Sequence, residues 1–152
     1  MMNNSFIEVF ENLIEDIDDP ISLLANTSSY IYDQIKDLNW VGFYIYKNNA
    51  LFLGPFQGKP ATSLIPLSRG VCGEAARLKK IINVPNVDLK ENHISCDSNT
   101  KSEIVFPLFI NQNFYAVLDI DSPVIDRFND SIIEKFSHII KLIENRLTST
   151  NF

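Results

Sequence analysis

Cysteine is scarce: Cys72 and Cys96 are the only two in 152 residues. So small a number, with no CxxC spacing, excludes a disulfide-built scaffold and points to a reducing cytoplasm. Basic clusters are missing as well. The 13 Lys and Arg are outnumbered by 19 Asp and Glu, for a formal net charge of −6, and no basic run exceeds Lys79-Lys80. Nucleic acid and anionic membrane surfaces are therefore not expected as partners. No apolar run is long enough to span a bilayer, and the opening Met1-Met2-Asn3-Asn4-Ser5 lacks the pattern of a signal peptide. Internal repeats, low-complexity tracts and Gly/Ser linkers are absent, so a single domain over 1–152 is expected. What remains is an ordinary globular composition, 45% hydrophobic and 21% charged. A chain of this length can bury roughly two-thirds of its unfolded surface around one core.

Periodicity orders the elements. Ile7, Phe10, Ile14 and Ile17 share one face of a helix over 5–17. Asp18-Asp19-Pro20 breaks that helix and starts another, whose stripe from Ile21 through Leu24, Ile31 and Ile35 continues to Asn39. Trp40 to Tyr46 and Ala50 to Leu53 read as a hairpin around Lys47-Asn48-Asn49. A strand over 63–67, a helix over 71–80 and a strand over 81–84 follow. The polar, aperiodic stretch 85–100 reads as a long loop, a feature that in a compact domain often carries function. A second hairpin pairs 102–110 with 114–121, and Asn129 or Ser131 caps a final helix bearing Ile132, Ile133, Phe136, Ile139, Ile140, Ile143 and Leu147. Helices, a strand-rich middle and a closing helix predict an α+β fold with one sheet covered by terminal helices.

Several residues can carry chemistry. Cys96 lies in the long loop within His93-Ile-Ser-Cys-Asp-Ser98, where accessibility and a nearby imidazole favour a thiolate; an inert cysteine is the plain alternative. Cys72 opens the helix after Gly70. There, unpaired backbone N–H groups can favour a thiolate, or the side chain simply packs helix against sheet. No metal is expected: His138 is predicted to face solvent, and His93 and Cys96, three apart, would need Cys72 plus a carboxylate in a pattern that matches none of the common zinc spacings. Glu103, Asp119 and Asp121 interrupt otherwise apolar strands, and Asp119 and Asp121 share a face. Charges so placed are costly unless paired or functional, although Asp121 alone is explained by a strand end. Together they suit an ammonium group, and crowding raises the pKa of at least one of them so that it can donate a proton. Trp40 and Tyr44 also share a strand face, as core packing or as the aromatic wall of a small pocket.

These motifs in this order resemble the free methionine-(R)-sulfoxide reductases of the GAF-domain superfamily. The resemblance runs through Asn39-Trp-Val-Gly-Phe-Tyr44, Leu53-Gly-Pro-Phe-Gln-Gly-Lys59, Arg69-Gly-Val-Cys-Gly73, His93 to Ser98, Lys101-Ser-Glu-Ile-Val105 and Val117 to Pro123. It implies a central antiparallel sheet with the N- and C-terminal helices on one face and ligand-covering loops on the other, commonly as a homodimer. It implies reduction of free L-methionine (R)-S-oxide through a sulfenic acid on Cys96, with no cofactor and with recycling by thioredoxin or another thiol reductant. Glu103, Asp119 and Asp121 then match the residues that hold the substrate amine and assist protonation, and Trp40 and Tyr44 those that enclose the S-methyl end. Cys72 matches a second cysteine able to take part in resolution. The chain departs from the family at Thr62, where a third, resolving cysteine is usual. A non-catalytic GAF sensor is the alternative reading, and a purely structural dimerisation module a third.

Overall fold

The computed structural model describes residues 4–93 and 97–149. Two helices open the chain, α1 (Asn4–Ile14) and α2 (Pro20–Gln34), followed by β1 (Trp40–Lys47), β2 (Ala50–Gly58) and β3 (Leu64–Pro66). Then come α3 (Gly70–Leu78), β4 (Ile82–Val84), a 3-10 turn at Val87–Leu89, β5 (Ser102–Ile110), β6 (Asn113–Ser122) and α4 (Asp130–Ser149). The strands form one sheet in the order β3-β2-β1-β6-β5-β4, with every neighbour antiparallel. The expected α+β architecture is what forms.

Alternation along the central strands divides the protein into two apolar layers. Val41, Phe43, Ile104, Phe106, Leu118 and Ile120 face the terminal helices and meet Phe10, Leu24, Phe136, Ile139 and Ile143. Trp40, Tyr44, Val105 and Val117 face the other way, toward α3 and the connecting loops, with Leu51, Val71, Cys72 and Ala75. The helical layer is also tied by polar contacts. Tyr30 Oη donates to the Phe6 carbonyl (2.6 Å), Ser28 Oγ reaches the Pro55 carbonyl (3.2 Å), and Glu144 accepts the Phe109 N–H at an irregular point of β5 (2.8 Å).

Caps explain the helix starts. Asp19 accepts from Ser22 N (2.8 Å), with Pro20 in the first turn of α2, and Asn129 accepts from Ile132 N (3.0 Å) ahead of α4. The apolar stripe predicts α2 as far as Asn39, but the helix stops at Gln34, because Ile35 is already extended and Asp37 takes a positive φ of 62°. Leu38 still packs on the core from this non-helical segment. Periodicity therefore registered the burial of Leu24 and Ile31, but not the exposure of Ile21 or the length of the helix. His138, predicted to face solvent, is partly buried on α4.

Candidate active site

Register places the functional side chains in rows across three strands. Trp40 pairs with Asp121, and Asp121 with Glu103; one step along, Gly42 pairs with Asp119, and Asp119 with Val105. With Tyr44 opposite Val117, the indole, the phenol and all three carboxylic residues fall on one face of the sheet. The N-terminal turn of α3 lies over this face. The enclosed cavity, about 20 Å³, is lined by Trp40, Tyr44, Cys72, Glu103, Asp119 and Asp121, and also by His93 and Thr100 from the long loop. Every sequence-predicted site residue except one thus lines a single cavity. Cys96 lies outside the described residues.

The aromatic wall is fixed in position. Trp40 stacks on Phe56 at 5.2 Å and on Tyr44 at 6.0 Å. Its Nε1–H donates to the Lys59 carbonyl (3.1 Å), and Tyr44 Oη donates to the Thr62 carbonyl (2.8 Å). These bonds tie the segment after β2, at Lys59 and Thr62, to the aromatic wall of the pocket. Gly42 makes the stacking possible, since a Cβ there would lie 2.3 Å from Phe56 Cβ and 2.7 Å from the Trp40 ring.

Burial dominates the electrostatics. Glu103 is 4% exposed, and loss of solvent, reinforced by the charges of Asp119 and Asp121, pushes its carboxyl well above the ordinary range. His93 Nε2 lies 2.8 Å from Glu103 Oε1, a distance that would suit an ion pair. Burial instead lowers the imidazole's pKa, against the smaller opposing pull of Asp119 and Asp88. Burial favours the neutral form of each partner, and so favours a hydrogen bond between neutral groups over an ion pair. The sequence offered no sign of this pairing, because a histidine in a polar loop carries no periodicity to aim it.

For Cys72 the sequence leaves two readings open, a thiolate favoured by the helix N-terminus or a side chain packing helix against sheet; burial first, then the charges of Asp119, Glu103 and Asp121, push the thiol well above its ordinary pKa and favour the second. A half-charge of helix dipole does not outweigh three carboxylic neighbours and full desolvation. Cys72 is therefore a buried thiol.

The loop is pinned on both sides of residues 94–96. Asn92 Nδ2 donates to the Ser68 carbonyl (3.1 Å), Gly70 N donates to the Asn92 carbonyl (3.1 Å), and Lys90 pairs with Glu74 at 2.7 Å. On the far side Asp97 is buried, accepting from Asn39 Nδ2 (3.1 Å) and Asn99 N (2.9 Å) with Lys59 at 3.7 Å. The Asn99 N–H, the Asn39 amide and the Lys59 charge hold its carboxyl below the usual range.

A GAF domain family model matches residues 19–147. The chain belongs to the GAF domain family. This GAF domain is 40% identical over 132 residues to the free methionine-R-sulfoxide reductase of Escherichia coli, covering 87% of this chain and 80% of that one. The reduced form of fRMsr from Staphylococcus aureus superposes with a TM-score of 0.91 at 43% identity, covering 95% of this chain and 94% of that one. The free methionine-R-sulfoxide reductase of Neisseria meningitidis in complex with its substrate gives 0.89 at 34% identity, covering 94% and 86%. No helix among the described residues of this GAF domain is long and apolar enough to cross a membrane.

Proposed function

We propose that this GAF domain reduces free L-methionine (R)-S-oxide to L-methionine. The observation that carries the reading is a buried carboxyl, Glu103, pushed well above the ordinary range by loss of solvent and acidic neighbours, within one cavity beside two further carboxylic groups and an aromatic wall. The similarity to reductases from two bacteria supports it. Sulfoxide sulfur becomes electrophilic only as its oxygen gains a proton, which Glu103 supplies. The Cys96 thiolate then attacks sulfur. The S–S bond so formed and the substrate S–O bond break as the protonated oxygen passes to the cysteine sulfur, releasing methionine reduced by two electrons and leaving Cys96 oxidised by two as a sulfenic acid. Asp119 and Asp121 hold the substrate ammonium, and Trp40 and Tyr44 enclose the S-methyl group. Selection for the free amino acid follows, because a peptide-bound residue would bury those carboxylates without an ammonium partner.

Connectivity supports the role of Cys96. In the sequence it directly precedes Asp97 and follows His93 by three residues. His93 lines the cavity and Asp97 is anchored to Asn39, the residue before Trp40. For recycling, a thiol condenses with the sulfenic acid to give a disulfide and water, and an external thiol then exchanges it away. Cys72 is the candidate resolving thiol, with Asp119 positioned to take its proton; thioredoxin is the candidate reductant. We place the protein in the cytoplasm as a homodimer serving antioxidant repair.

The test is methionine formation from the racemic free sulfoxide. One sulfur epimer should be consumed, Cys96→Ser should abolish turnover, and Cys72→Ser should mainly slow multiple turnovers. Full multiple-turnover activity in Cys96→Ser rejects the nucleophile assignment. No product from either epimer, with ligand-dependent quenching of Trp40 retained, would instead identify a sensor.

A further inference from the structure

The four groups deepest in the pocket form a donor set of one sulfur, one imidazole and two carboxylic groups. Cys72 Sγ, a Glu103 oxygen and an Asp119 oxygen all lie within 4.8 Å of one another, and all three residues are buried. His93 Nε2 lies 2.8 Å from Glu103 Oε1. The donors come from α3, the long loop, β5 and β6, which is why no zinc spacing appears in the sequence. Asp119 adds an independent sign. Its side chain is 6% exposed and lines the cavity, yet its Oδ1 accepts no hydrogen bond. A buried carboxylate oxygen without a partner is costly, and a cation relieves that cost.

Size and chemistry narrow the class of ligand. The cavity, about 20 Å³, holds one or two waters at about 10–15 Å³ each, so it admits a desolvated ion. Magnesium and calcium require six or more oxygen donors, whereas mixed S, N and O donors suit zinc. Zinc–ligand bonds of about 2.0–2.3 Å set tetrahedral edges at about 3.3–3.7 Å. The Cys72, Glu103 and Asp119 donors, within 4.8 Å of one another, reach that geometry by contracting about 1 Å, and His93, 2.8 Å from Glu103, supplies the fourth donor by turning from that contact. Metal binding would expel the protons of Cys72 and Glu103, as coordination ordinarily does.

We propose that the reduced pocket is also an inhibitory Zn²⁺ site, with Cys72, His93, Glu103 and Asp119 as ligands. The cation would sit among the carboxylates assigned to the substrate ammonium, so metal and substrate would compete. Inhibition rests on the reductase reading; binding of the ion does not. Any disulfide formed by Cys72 removes the sulfur ligand, making the site specific to the thiol state.

Cobalt(II) reports on the site without requiring turnover. The reduced full chain, held in a phosphine reductant, is titrated with Co²⁺ and followed by thiolate-to-cobalt charge-transfer absorption. One equivalent should bind, Zn²⁺ should displace it, and the band should vanish in Cys72→Ser while persisting in Cys96→Ser. His93→Gln and Asp119→Asn should each weaken binding at least tenfold, with far-ultraviolet circular dichroism confirming that every variant folds. Absence of the band, its loss with Cys96→Ser instead of Cys72→Ser, or indifference to both His93→Gln and Asp119→Asn would overturn the proposal. In the reductase assay Zn²⁺ should inhibit competitively with the sulfoxide, reversibly by chelator. Non-competitive inhibition would overturn the inhibitory role. A cobalt band in a protein without reductase activity would leave the metal site standing and remove the reductase reading.

Discussion

Glu103 and His93 lie in surroundings that penalise charge, and each turns that penalty into a pH dependence of opposite sense. The Glu103 carboxyl is raised by burial and by its acidic neighbours, so the folded state binds its proton more tightly than the unfolded chain. Its contribution is complete below the ordinary carboxyl range and is lost as pH rises through the raised folded value. The His93 imidazole is lowered by burial, so its contribution is complete above the ordinary imidazole range and is lost as pH falls through the depressed folded value. The hydrogen bond between them is thus secure only between those limits. Glu103→Gln removes the alkaline loss while leaving an amide able to hydrogen-bond the neutral imidazole. At pH 8.5 it should be more stable than the parent by about 1–3 kcal/mol, the usual cost of a poorly compensated buried polar group. The gain should shrink at pH 5. Urea unfolding at the two pH values checks this, and equal stability of both proteins at pH 8.5 would mean that Glu103 is not held protonated. The same substitution should lower single-turnover methionine formation by about 10²–10⁴, since the amide cannot act as the acid. His93→Gln should flatten the acid limb of the stability profile and leave the alkaline limb in place.

At the scale of elements, the site depends on where β2 ends. Gly58 takes a φ of +133°, and a Cβ there would lie 2.6 Å from Trp40 Cδ1 and 2.8 Å from the Asn39 carbonyl oxygen. The next residue, Lys59, supplies the carbonyl that accepts from the indole. Gly58→Ala should therefore cost about 1–3 kcal/mol of stability and move the indole. Denaturant titration reads the first effect and the emission of the single tryptophan reads the second; an unshifted spectrum would show that the wall does not depend on this turn. Sequence patterning reached the elements but not this coupling. Alternation identified the strands and apolar stripes the helices, because both follow from local geometry, and Glu103 and Asp119 stood out as charges in apolar strands. The pairing of Trp40 with Asp121 and of Asp121 with Glu103 depends on non-local register, which no local pattern encodes. The end of α2 was misplaced for the converse reason: Leu38, partly buried, packs on the helical layer although its backbone is no longer helical. The His93–Glu103 contact was invisible because the loop's path is set by scattered anchors, Asn92 on Ser68 and Asp97 on Asn39.

Over the whole molecule, one sheet separates two apolar layers with different duties. The helical layer, centred on Phe10, Phe136, Ile139 and Ile143, holds much of the fully buried aromatic and aliphatic volume. The opposite layer is smaller and is interrupted by the carboxylic groups and thiol of the pocket. Phe136 tests the division. It is fully buried, meets Phe106 edge-on at 6.1 Å and packs near Phe128 at 6.4 Å, while none of the three lines the pocket. Phe106 lies on β5 three residues from Glu103, but on the opposite face of the sheet. Phe136→Leu removes volume from the helical layer and should cost about 1–2 kcal/mol, within what a domain of 5–15 kcal/mol total stability tolerates. Well below the unfolding transition its KM and kcat should stay within about twofold of the parent. Denaturant unfolding and steady-state assays on the same preparation provide the comparison. A large fall in kcat without loss of folded protein would show that strain crosses the sheet, and that the helical layer sets the geometry of the pocket as well as its stability.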